Sequence, residues 1–392
     1  MVDTFYIAWK YIRYNRVKSA ILVSCITIIA VLPLTLEVLL NESERQLTLR
    51  AESSPLLIGA KGSALDLVMN SLYFTDEIPE PITMAAAGEV MDSGLAGAIP
   101  LYIRFSARTF PIVGTTLDYF EYRNLAPNSG ELFTTLGQCV IGAEVAKTLK
   151  LASGDYIVSS PETLFDLAGV YPLKMKISGV LTPSRSADDR AVFVDIHTAW
   201  VIDGLGHGHT DVTTTTDNSV ILKKEAQNVT ANAKLMHYSE ITEDNIDSFH
   251  LHGDPEGFPL TAVLAVPYDD KSGTILRGRY LEADTLYQAV RPAEVIDGLM
   301  ATIFRIRTVL DAVIGVVGGS TLLALVLVFS LSLRLREQEI DIVYKLGCSR
   351  ATISRLLGAE IVLILLAGAI GAGAFLLVVS HYDQQLVRTL LL

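Results

Sequence analysis

The stretch LRLREQEIDIVYKLGCSRATISRLLGAE, residues 333–360, carries a short polar segment directly before a long apolar run. Its first half places acidic and basic residues three to four positions apart, a spacing that suits a surface helix. Apolar residues recur at helical spacing on one face, namely Ile340, Val343 and Leu346. Gly347 is expected to end this helix and Ser349 to cap the next one. The pattern predicts a short amphipathic helix joined by a tight turn to the apolar run.

From the residues alone, two interpretations of this short helix remain open. It can be a surface helix that only anchors the chain at a membrane. It can also be a lever, because a partner that grips it would tilt the apolar helix that follows.

Apolar runs on both sides of the opening stretch, and one near the N-terminus, predict three transmembrane helices at residues 17–40, 306–333 and 354–380. Each is long enough to cross about 30 Å of hydrocarbon. The first run also resembles a signal peptide, but its length and the following NESERQ argue for an uncleaved span, with a kink at Pro33. Small residues in the later runs predict close helix packing, namely Gly315, Gly318, Gly319, Gly368, Gly371 and Gly373.

The distribution of charge sets the orientation. Lysine and arginine concentrate in residues 1–18 and 334–355, although Asp and Glu outnumber Lys and Arg 43 to 31 in the whole chain. Both basic segments are therefore predicted to be cytoplasmic, and the acidic region 41–305 lies outside the membrane. The acidic balance argues against a nucleic-acid partner. Three spans leave residues 381–392 outside, as a short tail or the start of an incomplete fourth helix.

The outer region, residues 41–305, reads as an α+β domain on two helical stalks. Short strands are predicted in PLYIRFSA, TFPIVGTT, QCVIG, DYIVSS, KMKISGVL, AVFVDI, NSVILKK and LTAVLAV. A helix is predicted at 223–240, and both flanks of the domain continue the neighbouring spans as helices. Cys139 is the one cysteine of this region, which excludes a disulfide framework. The fold class is an α-helical membrane protein whose large α+β extracytoplasmic domain is inserted between its first two spans.

At this point the chain resembles FtsX-like, MacB-type ABC transporter permeases, the mechanotransmission (type VII) family. The family pattern is a charged R-E-x-E-I run, then Leu-Gly-Ala-Ser, then a span that opens with a glutamate. The matching positions here are Arg336, Glu337, Glu339, Ile340, Leu346, Gly347, Ser349 and Glu360, and Cys348 replaces the alanine. IAWKYIRYNRVKSAIL is similar to the family's basic amphipathic entry helix, which is expected here at residues 1–16 on the cytoplasmic side. CVIGAEVAKTLKLASGDYIV is similar to the family's periplasmic core domain.

The resemblance implies a non-catalytic permease subunit in a bacterial inner membrane, multi-pass, with its large domain in the periplasm. ATP would be hydrolysed by a separate ABC ATPase that grips the cytoplasmic loop, residues 334–353. The implied cargo is hydrophobic, peptide or lipoprotein-like, and the implied partners are a second permease, an adaptor or lipoprotein, and membrane lipids. The family has four spans, so this chain departs from the pattern where the fourth would start.

Two His-x-His motifs in the outer region are a candidate zinc site. They lie in GHGHTD, with His207 and His209, and in FHLHGD, with His250 and His252. Alternate residues of a strand point to one face, so each pair could offer two imidazoles to one metal. The competing interpretation is a pair of polar loops, and the motif is weak. A membrane-anchored metal-binding or regulatory envelope protein is accordingly the alternative function.

LLIGAKGSALDLVMNSLYF, beginning at residue 56, looks at first like a phosphate-binding loop. The P-loop needs G-x-x-x-x-G-K-[ST], but here Lys61 precedes the second glycine, and the stretch lies on the outer side. It reads instead as a turn and a helix with Leu65, Val68 and Leu72 on one face. The simpler role of this helix is packing onto the domain. The more specific hypothesis is that this face and Lys61 contact a hydrophobic or lipid-linked substrate.

A membrane-anchored enzyme and a passive scaffold are two further function classes. The chain has no G-x-S-x-G and no H-E-x-x-H, the arrangements that hydrolases of these types need. A passive scaffold would not require the short helix that ends at Leu346-Gly347.

Overall fold

A computed structural model describes residues 2–160, 172–208, 221–225, 228–231, 239–251, 253–281, 286–335, 341–342, 344–345, 347 and 349–391. The chain divides into two compact units. One combines Met1–Gln46 with Gly298–Leu392, and the other is Leu47–Asp297. The boundaries of the second unit fall within the region that the sequence predicts to lie outside the membrane.

The helices are, in chain order, α1 (Val2–Tyr14), α2 (Arg16–Glu52), α3 (Ala64–Tyr73), α4 (Ala85–Asp92), α5 (Leu117–Arg123), α6 (Ala143–Leu149), α7 (Ile196–Ile202), α8 (Asp270–Arg279), α9 (Pro292–Leu335) and α10 (Arg350–Leu391). Short 3-10 turns lie at Ala187–Arg190, Ile246–Ser248 and Pro255–Gly257.

The strands are β1 (Leu56–Ala60), β2 (Ile82–Thr83), β3 (Ala96–Ala107), β4 (Phe110–Thr115), β5 (Pro127–Gly130), β6 (Gln138–Ile141), β7 (Tyr156–Val158), β8 (Leu173–Leu181), β9 (Val192–Asp195), β10 (Gly206–Gly208), β11 (Ile221–Glu225), β12 (Asn228–Ala231), β13 (Ser239–Glu240), β14 (Phe249–Leu251), β15 (Pro259–Leu260), β16 (Ala262–Pro267) and β17 (Tyr287–Val290).

A mixed sheet forms the backbone of the unit Leu47–Asp297. Its described strands run in the order β13-β8-β6-β9-β4-β3-β16-β1-β17, and β5 and β7 also pair with β8. β4 pairs with β9 in parallel, and β6 pairs with β8 in parallel, whereas β3 pairs with β4 and β16 antiparallel. Mixed pairing and interspersed helices make this an α+β domain, as the sequence predicts.

The two long helices that border this unit connect to neighbouring strands of the sheet. β1 follows α2 after a short turn, and β17 directly precedes α9. These strands are antiparallel partners, with Leu57 opposite Val290 and Ala60 opposite Tyr287. The Gln288 side-chain Nε2 also donates to the Ala60 carbonyl oxygen at 2.8 Å. Both stalk connections therefore belong to one hydrogen-bonded strand pair.

The core of this unit consists of side chains from the sheet and its covering helices. α7 packs on β3 and β4 because Gly114 leaves room: a Cβ there would lie 2.4 Å from the Ala199 Cβ. Trp200 is buried in α7 and donates from its indole nitrogen to the Pro259 carbonyl oxygen at 2.9 Å. Burial of such large apolar side chains is the main stabilising contribution to the domain.

Most predicted strands of the outer region are confirmed, but the predicted helix at 223–240 is wrong. Residues 221–225 and 228–231 form the antiparallel pair β11–β12. The sequence there mixes Lys, Glu and Asn with the β-branched Ile221, Val229 and Thr230, which favour strands over helices.

The helices that contain the first and second predicted spans are longer than those spans, since α2 reaches Glu52 and α9 begins at Pro292. By length and composition, two helices among the described residues could cross a membrane, Arg16–Glu52 and the segment Arg350–Tyr382. The predicted span 306–333 lies in α9, several of whose side chains fall outside the described ones, and stays a prediction.

Close packing at glycines, as predicted, occurs between α2 and α10. A Cβ on Gly368 would lie 2.6 Å from Ile26 Cγ2, and one on Gly371 would lie 3.0 Å from Thr27 Oγ1. Thr27 Oγ1 donates to the Gly368 carbonyl oxygen at 3.2 Å. By contrast, a Cβ on Gly315, Gly319 or Gly373 would meet nothing described within 4 Å, so close packing there is not seen among the described residues.

Candidate functional site

Arg50, in the last turn of α2, is buried in the unit Leu47–Asp297 and lies at the centre of a polar cluster. Its guanidinium donates two hydrogen bonds to the Asp188 carboxylate, at 2.6 and 2.9 Å. It also donates to the Tyr119 hydroxyl at 3.0 Å and to the Leu72 carbonyl oxygen. Two parallel charged hydrogen bonds fix both distance and orientation. We call Arg50, Tyr73, Tyr119 and Asp188 the Arg50 anchor, because they attach the end of α2 to the domain.

The loop before β9 holds Asp188 in place. Its carboxylate accepts from Tyr119 Oη at 2.7 Å and from Ser186 Oγ at 2.8 Å. The neighbouring Asp189 accepts from the backbone N–H groups of Ser184 and Arg185 at 2.7 and 2.9 Å, which orders the loop. The loop thereby presents a carboxylate that is already oriented toward Arg50.

Gly142, at the start of α6, allows this loop to approach. A Cβ at this position would lie 2.3 Å from the Asp189 carbonyl oxygen and 2.4 Å from that of Asp188. Backbone atoms cannot rotate away as a side chain can, so any larger residue would displace the loop. The glycine in the CVIGAEV motif therefore has a role in the Arg50 anchor.

The surroundings of the Arg50 anchor lower the pKa of Asp188 and raise the pKa of Tyr119. Burial alone would raise the pKa of Asp188, but the charge of Arg50 and hydrogen bonds from Arg50, Tyr119 and Ser186 lower it to about 2. Burial and the nearby Asp188 charge raise the pKa of Tyr119 to about 12, against the opposing effect of Arg50 and Arg123. At neutral pH the cluster is an ion pair bridged by a neutral phenol.

A second set of contacts surrounds the end of α2. Arg123 donates to Ser53 Oγ at 2.9 Å and to Ser54 Oγ at 2.7 Å, and Tyr122 donates to the Ser53 carbonyl oxygen. Tyr73 donates to the Leu47 carbonyl oxygen. Side chains of α3 and α5 thus bind the backbone and side chains of residues 47–54 from several directions.

The start of α9 has a simpler, solvent-exposed counterpart. Glu294 pairs with Arg277 of α8 through two hydrogen bonds of 2.8 and 2.6 Å, and Arg291 approaches the same carboxylate at 3.7 Å. Side-chain exposure of 31% and 52% lets water screen this pair. The two stalk connections therefore differ: the α2 end is fixed by a buried ion pair and the α9 end by an exposed one.

Most of the predicted coupling residues lie outside the described residues, namely Arg336, Glu337, Glu339, Ile340, Val343 and Leu346. Gly347 has a φ of +97°, and its N–H donates to the Tyr344 carbonyl oxygen at 3.0 Å, which fits the predicted helix end. Ser349 Oγ accepts from the Thr352 N–H at 3.2 Å, so the predicted cap of α10 is confirmed. Glu360 is 7% exposed within α10.

The predicted substrate-side face at the start of α3 is corrected in part. Val68 and Leu72 are buried, at 0% and 1% exposure, in contact with the domain core, so they cannot meet a substrate. Leu65 is 37% exposed and Lys61 lies at the surface in the turn before α3. Packing, the simpler role considered for this helix, is what Val68 and Leu72 perform.

The two His-x-His segments meet in the fold, which their distance in sequence does not reveal. β10 and β14 pair antiparallel, and His207 lies directly opposite His250. His250 Nδ1 lies 3.1 Å from the Ser248 carbonyl oxygen. His209 and His252 lie outside the described residues. Within the described part of the chain no group of three or more His, Cys, Asp or Glu side chains could hold a metal ion.

Sequence reasoning missed the Arg50 anchor. The available signals were an arginine in the otherwise sparsely charged LTLRAESS at the end of the stalk and the polar run SRSADDR. Neither follows a known motif, and the two partners are 138 residues apart in the chain.

Comparisons with known proteins identify one family and several similar solved structures. The family model of the MacB-like periplasmic core domain matches residues 22–236. The periplasmic region of MacB from Actinobacillus actinomycetemcomitans is similar at 12% identity, covering 64% of this chain and 92% of that chain with a TM-score of 0.34. The extracellular domain of the noncanonic ABC-type transporter YknZ from Gram-positive bacteria is similar at 11% identity, covering 60% and 98% with a TM-score of 0.33. No curated protein matches the chain.

The family match and the apolar helices define an ABC transporter permease-type protein. More specifically, because the match spans more than half of the residues, the chain belongs to the family with a MacB-like periplasmic core domain. The resemblance to FtsX-like, MacB-type permeases is thereby confirmed. The findings are consistent with an inner-membrane protein that carries a periplasmic domain.

Proposed function

We propose that this chain is the transmembrane permease subunit of an ABC transporter and couples ATP hydrolysis by a separate ATPase to a conformational change outside the membrane. The observation that carries the proposal is the attachment of the stalks. α2 is one continuous helix up to Glu52, its end is fixed by the Arg50 anchor, and β1 and β17 join both stalk connections in one strand pair.

This arrangement suits the transmission of movement. A helix is stiff along its axis, and a bidentate buried ion pair does not slide as an apolar contact can. Force on the membrane-side part of α2 would therefore reach the sheet through Arg50 and Asp188. The paired β1 and β17 would make the domain respond to the relative movement of the two helices.

The partner in this proposal is an ABC ATPase that binds the cytoplasmic loop 334–353 through Glu339 and the apolar face of Ile340, Val343 and Leu346. A second permease copy completes the assembly, and a periplasmic adaptor or lipoprotein receives the cargo. The cargo is hydrophobic, peptide or lipoprotein-like and is exported or extracted. Lys61 and Leu65 are the remaining surface candidates on the substrate side.

The test is co-purification of the full chain with the product of an adjacent ATPase gene, followed by measurement of ATP hydrolysis. Glu339→Ala and Leu346→Ala should each weaken assembly about tenfold or more, as expected for interface hot spots. Asp341→Ala and Ile342→Ala are matched controls on the same short segment but off the apolar face, and both should behave as wild type. Unchanged assembly and ATPase activity in both test variants would show that the loop is not the coupling element.

A second candidate function, zinc binding in the outer domain, is favoured by one observation, the register of His207 opposite His250. Directly opposed residues of an antiparallel pair have Cβ atoms about 5 Å apart, close enough for two imidazoles to share a metal. Calorimetric titration of the full chain in detergent with zinc should show binding that His207→Ala/His250→Ala removes. His197→Ala, which alters a histidine paired with Asp195 instead, is the control. Heat no greater than that of buffer would end the metal hypothesis.

A further inference from the structure

A groove between α2 and α9 in the helical unit has a basic opening and an apolar interior. The groove is open on one side and has a volume of about 820 Å³. Arg16 and Lys18 stand at its opening with Tyr14 and Asn15, and its interior is lined by Ile21, Leu22, Cys25, Thr321 and Ala324. None of the described lining residues is acidic. The lining of the groove thus changes from basic and polar to apolar along α2, from Arg16 toward Cys25.

The groove exists because α9 presents small side chains to α2 there. Thr321 and Ala324 line it, whereas the bulkier Leu322 and Leu323 point elsewhere and are 64% and 61% exposed. The Thr321 hydroxyl donates to the Val317 carbonyl oxygen of its own helix at 2.8 Å. The wall is therefore effectively apolar although it contains a hydroxyl.

The dimensions of the groove match one leaflet of a membrane. At 1.5 Å per helical residue, the distance along α2 from Arg16 to Cys25 is about 14 Å. Half of a bilayer's hydrocarbon core is about 15 Å. A second apolar groove of about 660 Å³ continues from Cys25 and Thr321 toward Leu36 and Leu310. In the membrane orientation that the sequence predicts, the basic opening would lie at the cytoplasmic edge and the interior would reach toward the bilayer centre.

Helix α1 places the same edge at the membrane surface. Tyr6, Trp9 and Tyr14 are exposed at 58%, 47% and 86%. Lys10 lies 5.5 Å from the Tyr6 ring centroid and Arg13 lies 5.5 Å from that of Trp9. Exposed aromatic rings next to basic side chains are typical of the interface between headgroups and hydrocarbon.

We propose that this groove is a binding site for an anionic phospholipid of the cytoplasmic leaflet. The phosphate of the headgroup is bound by Arg16 and Lys18, and one acyl chain lies along Ile21, Leu22 and Cys25 against Ala324. Arg16 Nε donates to the Arg13 carbonyl oxygen at 3.1 Å, which restrains the guanidinium. Basic pockets between membrane helices on the cytoplasmic side are suited to anionic headgroups. The site is independent of any ATPase and of the cargo.

Native mass spectrometry of the full chain in detergent tests the proposal. The probes are dioleoyl phosphatidylglycerol and dioleoyl phosphatidylcholine, which share acyl chains and differ in headgroup charge. The wild type should retain the phosphatidylglycerol at lower lipid concentration. Each headgroup-facing cation contributes roughly a fivefold preference, so Arg16→Gln/Lys18→Gln should weaken phosphatidylglycerol binding about 25-fold and leave phosphatidylcholine binding nearly unchanged.

Arg350→Gln/Arg355→Gln is the matched control, because it removes two positive charges from α10 outside the groove. Ala324→Phe fills the groove without changing charge and should reduce binding of both lipids, whereas Leu323→Phe, one position away, should not. Circular dichroism of each variant in the same detergent verifies that the helices are intact. The Ala324 and Leu323 variants keep the test decisive if a charge variant does not fold.

Three results would overturn the lipid site. One is an equal loss of phosphatidylglycerol binding in the two charge variants, which would indicate only a general electrostatic effect. Another is unchanged lipid binding in Ala324→Phe. The third is efficient linkage of two chains at Cys25 by a bifunctional maleimide in native membranes, since a second copy of the chain would then cover the groove.

Discussion

Arg50 and Asp188 are two charges that folding removes from water, with side-chain exposures of 7% and 3%. Such a pair gains Coulomb energy only against a large desolvation cost, and its removal is costly when one partner stays behind. The additional donors, Tyr119 and Ser186, satisfy the oxygens of Asp188 that Arg50 does not fully occupy. The main effect of this ion pair is therefore to fix the position of the end of α2 in the domain.

Asp188→Asn should destabilise the outer domain by about 3–5 kcal/mol, because it leaves the Arg50 charge buried without a carboxylate. Glu294→Ala, which breaks the exposed pair with Arg277, should cost no more than about 1 kcal/mol. Arg50→Met/Asp188→Leu should recover much of the loss. The readout is denaturant unfolding of the full chain in a Trp9→Phe background, where the buried Trp200 is the remaining tryptophan. Equal costs for the two single variants would contradict the buried-pair assignment.

The pH dependence of that stability follows from the lowered pKa of Asp188. The folded value, about 2, lies below the ordinary 3.8, so the carboxylate stabilises the fold above pH 3.8 and this contribution is lost as the pH falls through about 2. The difference in unfolding free energy between wild type and Asp188→Asn should shrink by on the order of 2 kcal/mol between pH 5 and pH 2. The same Trp200 fluorescence measures it, and a pH-independent difference would refute the assigned pKa.

At the scale of elements, the close contact of α2 with α10 depends on glycines of α10, which have no side chain. Gly368→Leu should separate the two helices, because even its Cβ would lie 2.6 Å from Ile26 Cγ2 and 3.0 Å from the Ile26 Cβ. Gly373→Leu is the matched control on the same helix, where a Cβ meets no described atom within 4 Å. Thermal unfolding in detergent should show a lower midpoint for Gly368→Leu alone. Similar midpoints for both variants would mean that the helices do not pack through Gly368.

At the scale of the whole molecule, the unit Leu47–Asp297 contains the sheet, its core and both stalk connections. A fragment of residues 47–297 should therefore fold by itself and unfold in one cooperative transition followed by circular dichroism. A fragment of residues 55–297 should be less stable by about 3–5 kcal/mol, because it leaves Asp188 buried without Arg50. A gradual, non-cooperative transition of the longer fragment would show that the unit needs the rest of the chain.

The family could be predicted from the sequence because the motifs that identify it are local. The amphipathic helix pattern before Gly347, the cap at Ser349 and the apolar run of α10 each depend on residues a few positions apart. The same holds for the strand–glycine–helix motif at β6 and α6. Such elements follow from periodicity and turn chemistry, which a single sequence displays.

Predictions from local sequence were wrong where contacts between residues distant in the chain determine the structure. Residues 223–240 contain enough polar and charged residues to suggest a surface helix, yet residues 221–225 and 228–231 form the strand pair β11–β12. Val68 and Leu72 showed a helical apolar face, but only the packed domain reveals that this face is buried.

The sequence by itself displayed the apolar helices, most strands of the outer domain and the loop motif before α10. The orientation of the helices and the cytoplasmic side of the loop remain predictions from the basic segments. Only the tertiary structure decided that β1 lies beside β17, that Arg50 finds Asp188 and that His207 lies opposite His250. The physical reason is range: hydrophobic periodicity and helix capping act over one or two turns, whereas these pairings join residues that meet only after the sheet has formed.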